Sequence, residues 1–155
     1  MRLADLDRFS GIGWDVDGTL VGHPANRLFF SFIRLRRSVR HVIVSFRSHG
    51  AEATIFRDIE REGGPGPEFF EGVHTVDDAL WEAQERARLL RLAGALTGPP
   101  TEEEIAYREF KARTCFDLGI PCLIDDDISN CKPGCDAYGI MLIHPDAFLR
   151  QRKRF

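Results

Sequence analysis

The chain has 155 residues, enough for one domain with a genuine core. Hydrophobic residues make up 43% and charged residues 29%, which excludes a disordered chain, and a formal charge of −3 excludes a global attraction to nucleic acid or anionic lipid. No stretch has the apolar length needed to cross a bilayer, and the first ten residues lack a leader's apolar run, so a cytoplasmic protein without membrane contact is expected.

The first element, Gly11-Ile12-Gly13-Trp14, reads as a strand and ends in Asp15-Val16-Asp17-Gly18-Thr19-Leu20. In an extended segment side chains alternate, so Asp15 and Asp17 leave the same side of the backbone. With nothing basic beside them they repel each other unless a cation or proton intervenes, and Mg²⁺ is the natural resident. The competing reading is an Asx-rich turn at a strand end. An EF-hand loop is excluded, because counted from Asp15 its twelfth position, which needs a Glu, holds Asn26.

Gly22-His23-Pro24 breaks the chain, and the spacing of Ala25, Leu28, Phe29, Phe32 and Ile33 predicts a helix from about Ala25 to Val39. The arginines on its other sides read as a solvated face. His41-Val42-Ile43-Val44 is a buried strand ending in Ser45-Phe46-Arg47-Ser48, and a helix from about Ala51 to Arg61 follows. Phe69 to Val76 holds a third strand, and Asp77 caps a helix reaching about Leu96. Thr101 and Glu104 form a capping box for a helix through Asp117 that carries Lys111 and ends at Gly119. Pro121-Cys122-Leu123-Ile124 is the fourth strand and delivers Asp125-Asp126-Asp127. Tyr138 to Ile143 is the fifth, and a short basic helix or tail with Arg150, Arg152, Lys153 and Arg154 closes the chain. Cys115, Cys122, Cys131 and Cys135 read as free thiols, since zinc-ligand pairs are missing.

This alternation predicts an α/β fold, a doubly wound, mostly parallel five-stranded sheet with helices on both faces, in one domain over 1–155. Its crevice opens beyond the carboxyl ends of the strands, where every polar cluster above falls. Phosphoryl transfer needs such a set: a nucleophile in line, a cation, donors for the phosphate oxygens and an acid for the leaving group. Asp15 can be the nucleophile, and Asp17 can reach the leaving oxygen. Asp125 and Asp126 complete a Mg²⁺ site, and Ser45 and Lys111 hold the phosphate. Exposed amides around Val16, Asp17 and Phe46 add donors.

In order and spacing the chain resembles the haloacid dehalogenase (HAD) superfamily of phosphohydrolases over nearly its whole length. Asp15-Val16-Asp17-Gly18-Thr19 looks like the family's first motif, Ser45 the second, Lys111 the third, and Asp125-Asp126 with Asn130 the fourth. The resemblance implies an aspartyl-phosphate on Asp15, Asp17 as acid and then base, and Mg²⁺ held by Asp15, the Asp17 carbonyl and a fourth-motif carboxylate. Asp126 is favoured for that ligand by its four-residue offset from Asn130, with Asp125 behind it. Thr19, Ser45, Phe46, Arg47 and Lys111 are the expected substrate contacts. Related nucleic-acid end phosphatases often carry Gly before the Arg, where this chain has Phe46.

Only a turn and one helix fit between Leu20 and Ser45, and little more than the helix after Asp77 separates Ser45 from Lys111. A capless member is therefore expected. That implies either a large substrate covering the site or lids from other subunits of a homo-oligomer; the large substrate is the one expected. Arg47 with the basic tail favours a nucleotide or polynucleotide phosphate over other small molecules. The rival function is a non-catalytic binding or assembly module that keeps the fold.

Overall fold

The computed structural model describes residues 1–149; the basic run from Arg150 to Arg154 lies outside them. Five strands are present among the described residues: β1 (Gly11–Trp14), β2 (Arg40–Ser48), β3 (Gly72–Val76), β4 (Cys122–Ile124) and β5 (Met141–Ile143). All pair in parallel in the order β3-β2-β1-β4-β5. The winding runs outward from β1 through β2 to β3, then returns to lay β4 on the free side of β1 and β5 beyond it. That reversal is the doubly wound topology, and it places its crevice beyond the carboxyl ends of β1 and β4.

Strand alternation divides the interior into two cores. Ile12 and Trp14 of β1, Ile43 of β2, Cys122 and Ile124 of β4 and Ile143 of β5 point to one face, against Phe29, Phe32 and Ile33 of α1 (Asn26–Leu35) and Ile55 and Ile59 of α2 (Ile55–Arg61). Val42 and Val44 of β2 and Leu123 of β4 point to the other, against Ala112 and Cys115 of α4 (Glu102–Leu118) and Cys131 and Cys135 of α5 (Ile128–Tyr138). The Trp14 indole donates 3.1 Å to Nδ1 of buried His41, whose Nε2 lies 3.0 Å from the Arg36 carbonyl. Burial holds His41 below its ordinary pKa, which suits a neutral ring that accepts at one nitrogen and donates at the other.

Helix α3 (Asp78–Leu92) buries only Ala87 and packs on α4. Between them Arg91 forks onto Glu104, Nε to Oε1 at 2.6 Å and Nη2 to Oε2 at 2.8 Å. Glu104 also closes the expected capping box: it accepts the Thr101 N–H at 2.7 Å, while Thr101 Oγ1 accepts the Glu104 N–H at 3.2 Å.

Several expected boundaries are corrected. Helix α1 stops at Leu35 rather than Val39, and α3 at Leu92 rather than Leu96; β2 continues through Ser48. A 3-10 turn over His49–Thr54 precedes α2, and another opens the chain at Leu3–Arg8. The main omission is α5, which occupies a stretch to which the sequence reading assigned no element and places Tyr138 in a helix rather than a strand. Pro133 and Gly134 argue against a helix locally. They are tolerated because Asp127 caps the first turn and Gly134 lets α5 cross α4 closely: a Cβ there would stand 3.1 Å from the Glu109 Cα and 3.2 Å from the Ala112 Cβ. All four cysteines are buried free thiols. No described helix is long and apolar enough to cross a membrane.

The Arg91–Glu104 fork has a pH signature. The Arg91 guanidinium, helped by the Thr101 N–H, lowers the Glu104 carboxyl from 4.5 to about 2. A depressed folded-state value stabilises above the unfolded value, and the stabilisation is lost as pH falls from about 4.5 toward 2. Glu104→Gln should therefore lower the melting temperature at neutral pH and flatten its fall across that acid window. Parallel curves for the two proteins would show that the fork contributes nothing.

Candidate active site

The Asp15 N–H donates 3.0 Å to the Ile124 carbonyl, continuing the β1–β4 ladder one residue past the strand. Asp15 is thereby set at the carboxyl end of the central strand. The chain then folds back, with Val21 N–H on the Val16 carbonyl and Gly18 N–H on the Val21 carbonyl, both at 2.8 Å. Gly18 turns this corner at φ +80°, and a Cβ there would overlap the Asp126 carboxylate. Glycine is required twice, for the left-handed backbone and to admit the acidic cluster that follows β4.

That cluster is held from behind. Asp125 is fully buried; Oδ1 accepts the Asp127 N–H at 2.8 Å, and Oδ2 accepts from Lys111 at 2.6 Å and from the Cys131 thiol at 3.3 Å. Asp127 caps α5, accepting the Asn130 N–H at 3.2 Å and its side-chain amide at 2.7 Å. Asn130, which its spacing paired with Asp126, therefore serves Asp127 instead. Asp126 is exposed.

Lys111 comes from the middle of α4 and is 1% exposed. Its ammonium donates 2.7 Å to Asp15 Oδ1 and 2.6 Å to Asp125 Oδ2, and lies 4.1 Å from the centre of the Phe46 ring. Phe46 in turn stacks on Tyr107 at 4.6 Å and 13°. Burial alone would pull the lysine down, but Asp15 and Asp125 outweigh it and hold the ammonium above the ordinary range. Burial, with Asp125 adding to it and Lys111 opposing, pushes the Asp15 carboxyl up to about 7. One buried cation faces two buried carboxylates, so the cluster carries a surplus of negative charge.

An open cleft of about 440 Å³ brings together Asp15, Asp17, Ser45, Phe46, Lys111, Asp125 and Asp126 from the expected set. Tyr107 and Asp127 also line it. Neither was singled out from sequence. Tyr107 stands four residues before Lys111 and so on the same helical face, a signal that was available; Asp127 was placed in the acidic run after the fourth strand but given no role.

Two of the expected substrate contacts, Thr19 and Arg47, are engaged by other side chains of the protein. Thr19 is fully buried and its hydroxyl donates 3.2 Å to Asp15 Oδ2, so it orients a carboxylate rather than meeting a ligand. Arg47 is absent from the cleft lining and forks onto Asp17, with Nε on Oδ2 at 2.9 Å and Nη2 on Oδ1 at 2.8 Å. Ser45 keeps its place in the wall, and its Oγ accepts the Arg47 N–H at 3.1 Å.

One oxygen from each of Asp15, Asp125 and Asp126 lies within 4.8 Å of the other two. Three hard oxygen donors of like charge fit a hard divalent cation. Asp17 is outside this triplet; its side chain turns to Arg47, and its backbone carbonyl is the atom the resemblance assigned to a cation. No protein-family model, curated protein or solved structure matches the chain.

Removing Lys111 should expose the surplus. Lys111→Met leaves Asp15 and Asp125 facing each other without a counter-ion. Breaking a buried ion pair by deleting one partner costs about 3–5 kcal/mol. Urea unfolding in divalent-free buffer at neutral pH should show a loss of that order. An unchanged midpoint would mean that the two carboxylates are neutralised without Lys111.

Proposed function

We propose that this chain is a Mg²⁺-dependent phosphomonoester hydrolase of the HAD type, acting through an aspartyl-phosphate on Asp15. The observation that carries this reading is the convergence of four sequence-distant motifs on one cleft, with Lys111 buried between Asp15 and Asp125 and the open Asp126 beside them.

Substrate phosphate enters a cleft whose wall offers the Ser45 hydroxyl and the one N–H of Lys111 not engaged by Asp15 and Asp125. In the first step an Asp15 oxygen forms a bond to phosphorus as the bond to the leaving oxygen breaks. Asp17 gives its proton to that oxygen, and the alcohol departs. In the second, Asp17 takes a proton from water as the water oxygen bonds to phosphorus. The Asp15–phosphorus bond breaks, and inorganic phosphate leaves with Asp15 restored. Mg²⁺, held by Asp15, Asp126 and the Asp17 carbonyl, would neutralise charge between the phosphate and the carboxylates. Asp125 is already engaged at both oxygens, which favours Asp126 as the direct ligand and leaves Asp125 to hold Lys111 in place.

Charge also favours a substrate class. Five carboxylates and a single cation line the cleft, and Arg47 is committed to Asp17 and Asp58. A substrate with further phosphates would bring them against Asp126 and Asp127, where the described lining offers no further basic group to meet them. The site thus suits a small ester carrying one phosphate, and the expectation of a polynucleotide end loses the Arg47 contact, one of the features that suggested it.

Wild-type protein should release phosphate from p-nitrophenyl phosphate with Mg²⁺ and lose that activity on chelation. Asp15→Asn should abolish turnover and stay folded, because it leaves Lys111 and Asp125 matched one to one. Full activity in folded Asp15→Asn would overturn the covalent mechanism. Asp126→Ala should need more Mg²⁺ for half-maximal rate; an unchanged requirement would transfer the ligand role to Asp125. A wild-type protein that hydrolyses no small phosphate ester would favour the non-catalytic assembly module.

A further inference from the structure

We propose that Arg47 is a positioning residue that aims the Asp17 carboxylate at the leaving-group oxygen, an inference that rests on the reading of Asp17 as proton donor and acceptor. The two parallel bonds from Arg47, 2.9 Å from Nε and 2.8 Å from Nη2, fix the plane of the carboxylate as well as its place. The opposite end of the guanidinium is itself anchored. Nη1 donates 2.8 Å to Asp58 Oδ2 on α2 and 2.8 Å to Thr54 Oγ1. The Thr54 hydroxyl donates to the Ala51 carbonyl at 2.6 Å, so its lone pairs are what it offers Arg47.

Exposure shows why Asp17 needs such a partner. Its side chain is 61% exposed, whereas that of Arg47 is 15% exposed. A carboxylate so open to water is a free rotor unless something rigid grips it, and the grip runs through Arg47 to a helix. The fork uses one lone-pair direction on each Asp17 oxygen and leaves the other for the proton in flight. Arg47 itself does not line the cleft, so its effect on the reaction passes through Asp17. The step concerned is the one in which Asp17 hands its proton to the ester oxygen as the Asp15–phosphorus bond forms and the phosphorus–oxygen bond breaks. A misplacement of about 1 Å at such a group costs on the order of 100-fold.

The test separates proton delivery from phosphate binding. Phenyl phosphate and 2,4-dinitrophenyl phosphate present similar rings, but phenolate leaves only with a proton, whereas dinitrophenolate leaves as a stable anion. Leaving-group release in the first turnover, at saturating Mg²⁺, reads the step that needs the acid and excludes the later hydrolysis of the intermediate. With Arg47→Gln this rate should fall on the order of 100-fold for phenyl phosphate and by no more than about threefold for the dinitrophenyl ester, as expected where no acid is required. Arg47→Lys should recover little, because an ammonium cannot fork. Asp58→Asn, which loosens the anchor without touching Asp17, should repeat the contrast more weakly. Equal losses on both esters, or a rise in KM alone, would overturn the inference while leaving the hydrolase reading intact. A wild-type protein inert toward both esters would overturn that reading and this inference with it.

Discussion

A lysine ammonium sealed from water between two aspartates is the constraint on which the rest of this structure depends. Lys111 reaches Asp15 and Asp125 at 2.7 Å and 2.6 Å, and each of the three arrives on a different element. Moving charges of this kind out of water is expensive, and their mutual attraction offsets that cost only when the geometry is good and the remaining lone pairs are filled. Here they are filled: Thr19 donates to Asp15, and the Asp127 N–H and the Cys131 thiol donate to Asp125. Helix α4 must therefore cross the sheet where β1 and β4 end, and its packing residues Ala112 and Cys115 follow from that position.

The topology makes room for this cluster. Chain reversal at β1 leaves β1 and β4 as neighbours whose outgoing connections diverge, one toward α1 and one toward α5 on the opposite face. Side chains and turns fill the gap between them. The turn after β1 is closed by Gly18 against Asp126, and the turn after β4 is closed by Asp127 at the start of α5. Each turn thus shapes the other. The acidic surplus that remains at the opening is the property a phosphate chemistry with a divalent cation would use, and it is unfavourable to a polyanion.

A second layer orients what the first exposes. Arg47 grips Asp17 and is gripped by Asp58 and Thr54, so the open carboxylate at the rim is tied to α2. Phe46 and Tyr107 form a stacked wall against which the Lys111 ammonium rests. Such a contact adds a modest stabilisation of about 1 kcal/mol. Its larger effect is to hold the lysine on the side of the cleft where both aspartates meet it.

Local chemistry in the sequence was enough for the architecture and for the pair of carboxylates at the end of the first strand. Alternating β-branched runs and amphipathic helices dictate a parallel sheet wound on both faces, because each element has one apolar side to bury and crossovers are right-handed. Asp15 and Asp17 two residues apart at a strand end, and the Thr101–Glu104 capping box, are likewise short-range facts. Helix α5 was illegible because Pro133 and Gly134 oppose it locally, and its stability comes from Cys131 and Cys135 buried beneath α4. Partner choice was illegible too. Nothing near Asp15 in sequence is basic, yet Lys111, 96 residues away, lies against it. Arg47 looked free for a phosphate, yet Asp17, 30 residues before it, takes the fork. Thr19 and Asn130 lie close to the paired aspartates in sequence and spend their donors on Asp15 and Asp127. Spacing along a chain dictates which side chains share a face. Only the crossing of α4 over the sheet and the placing of α2 beside β2 decide which charges meet, because hydrogen bonds and ion pairs are made at about 3 Å through space.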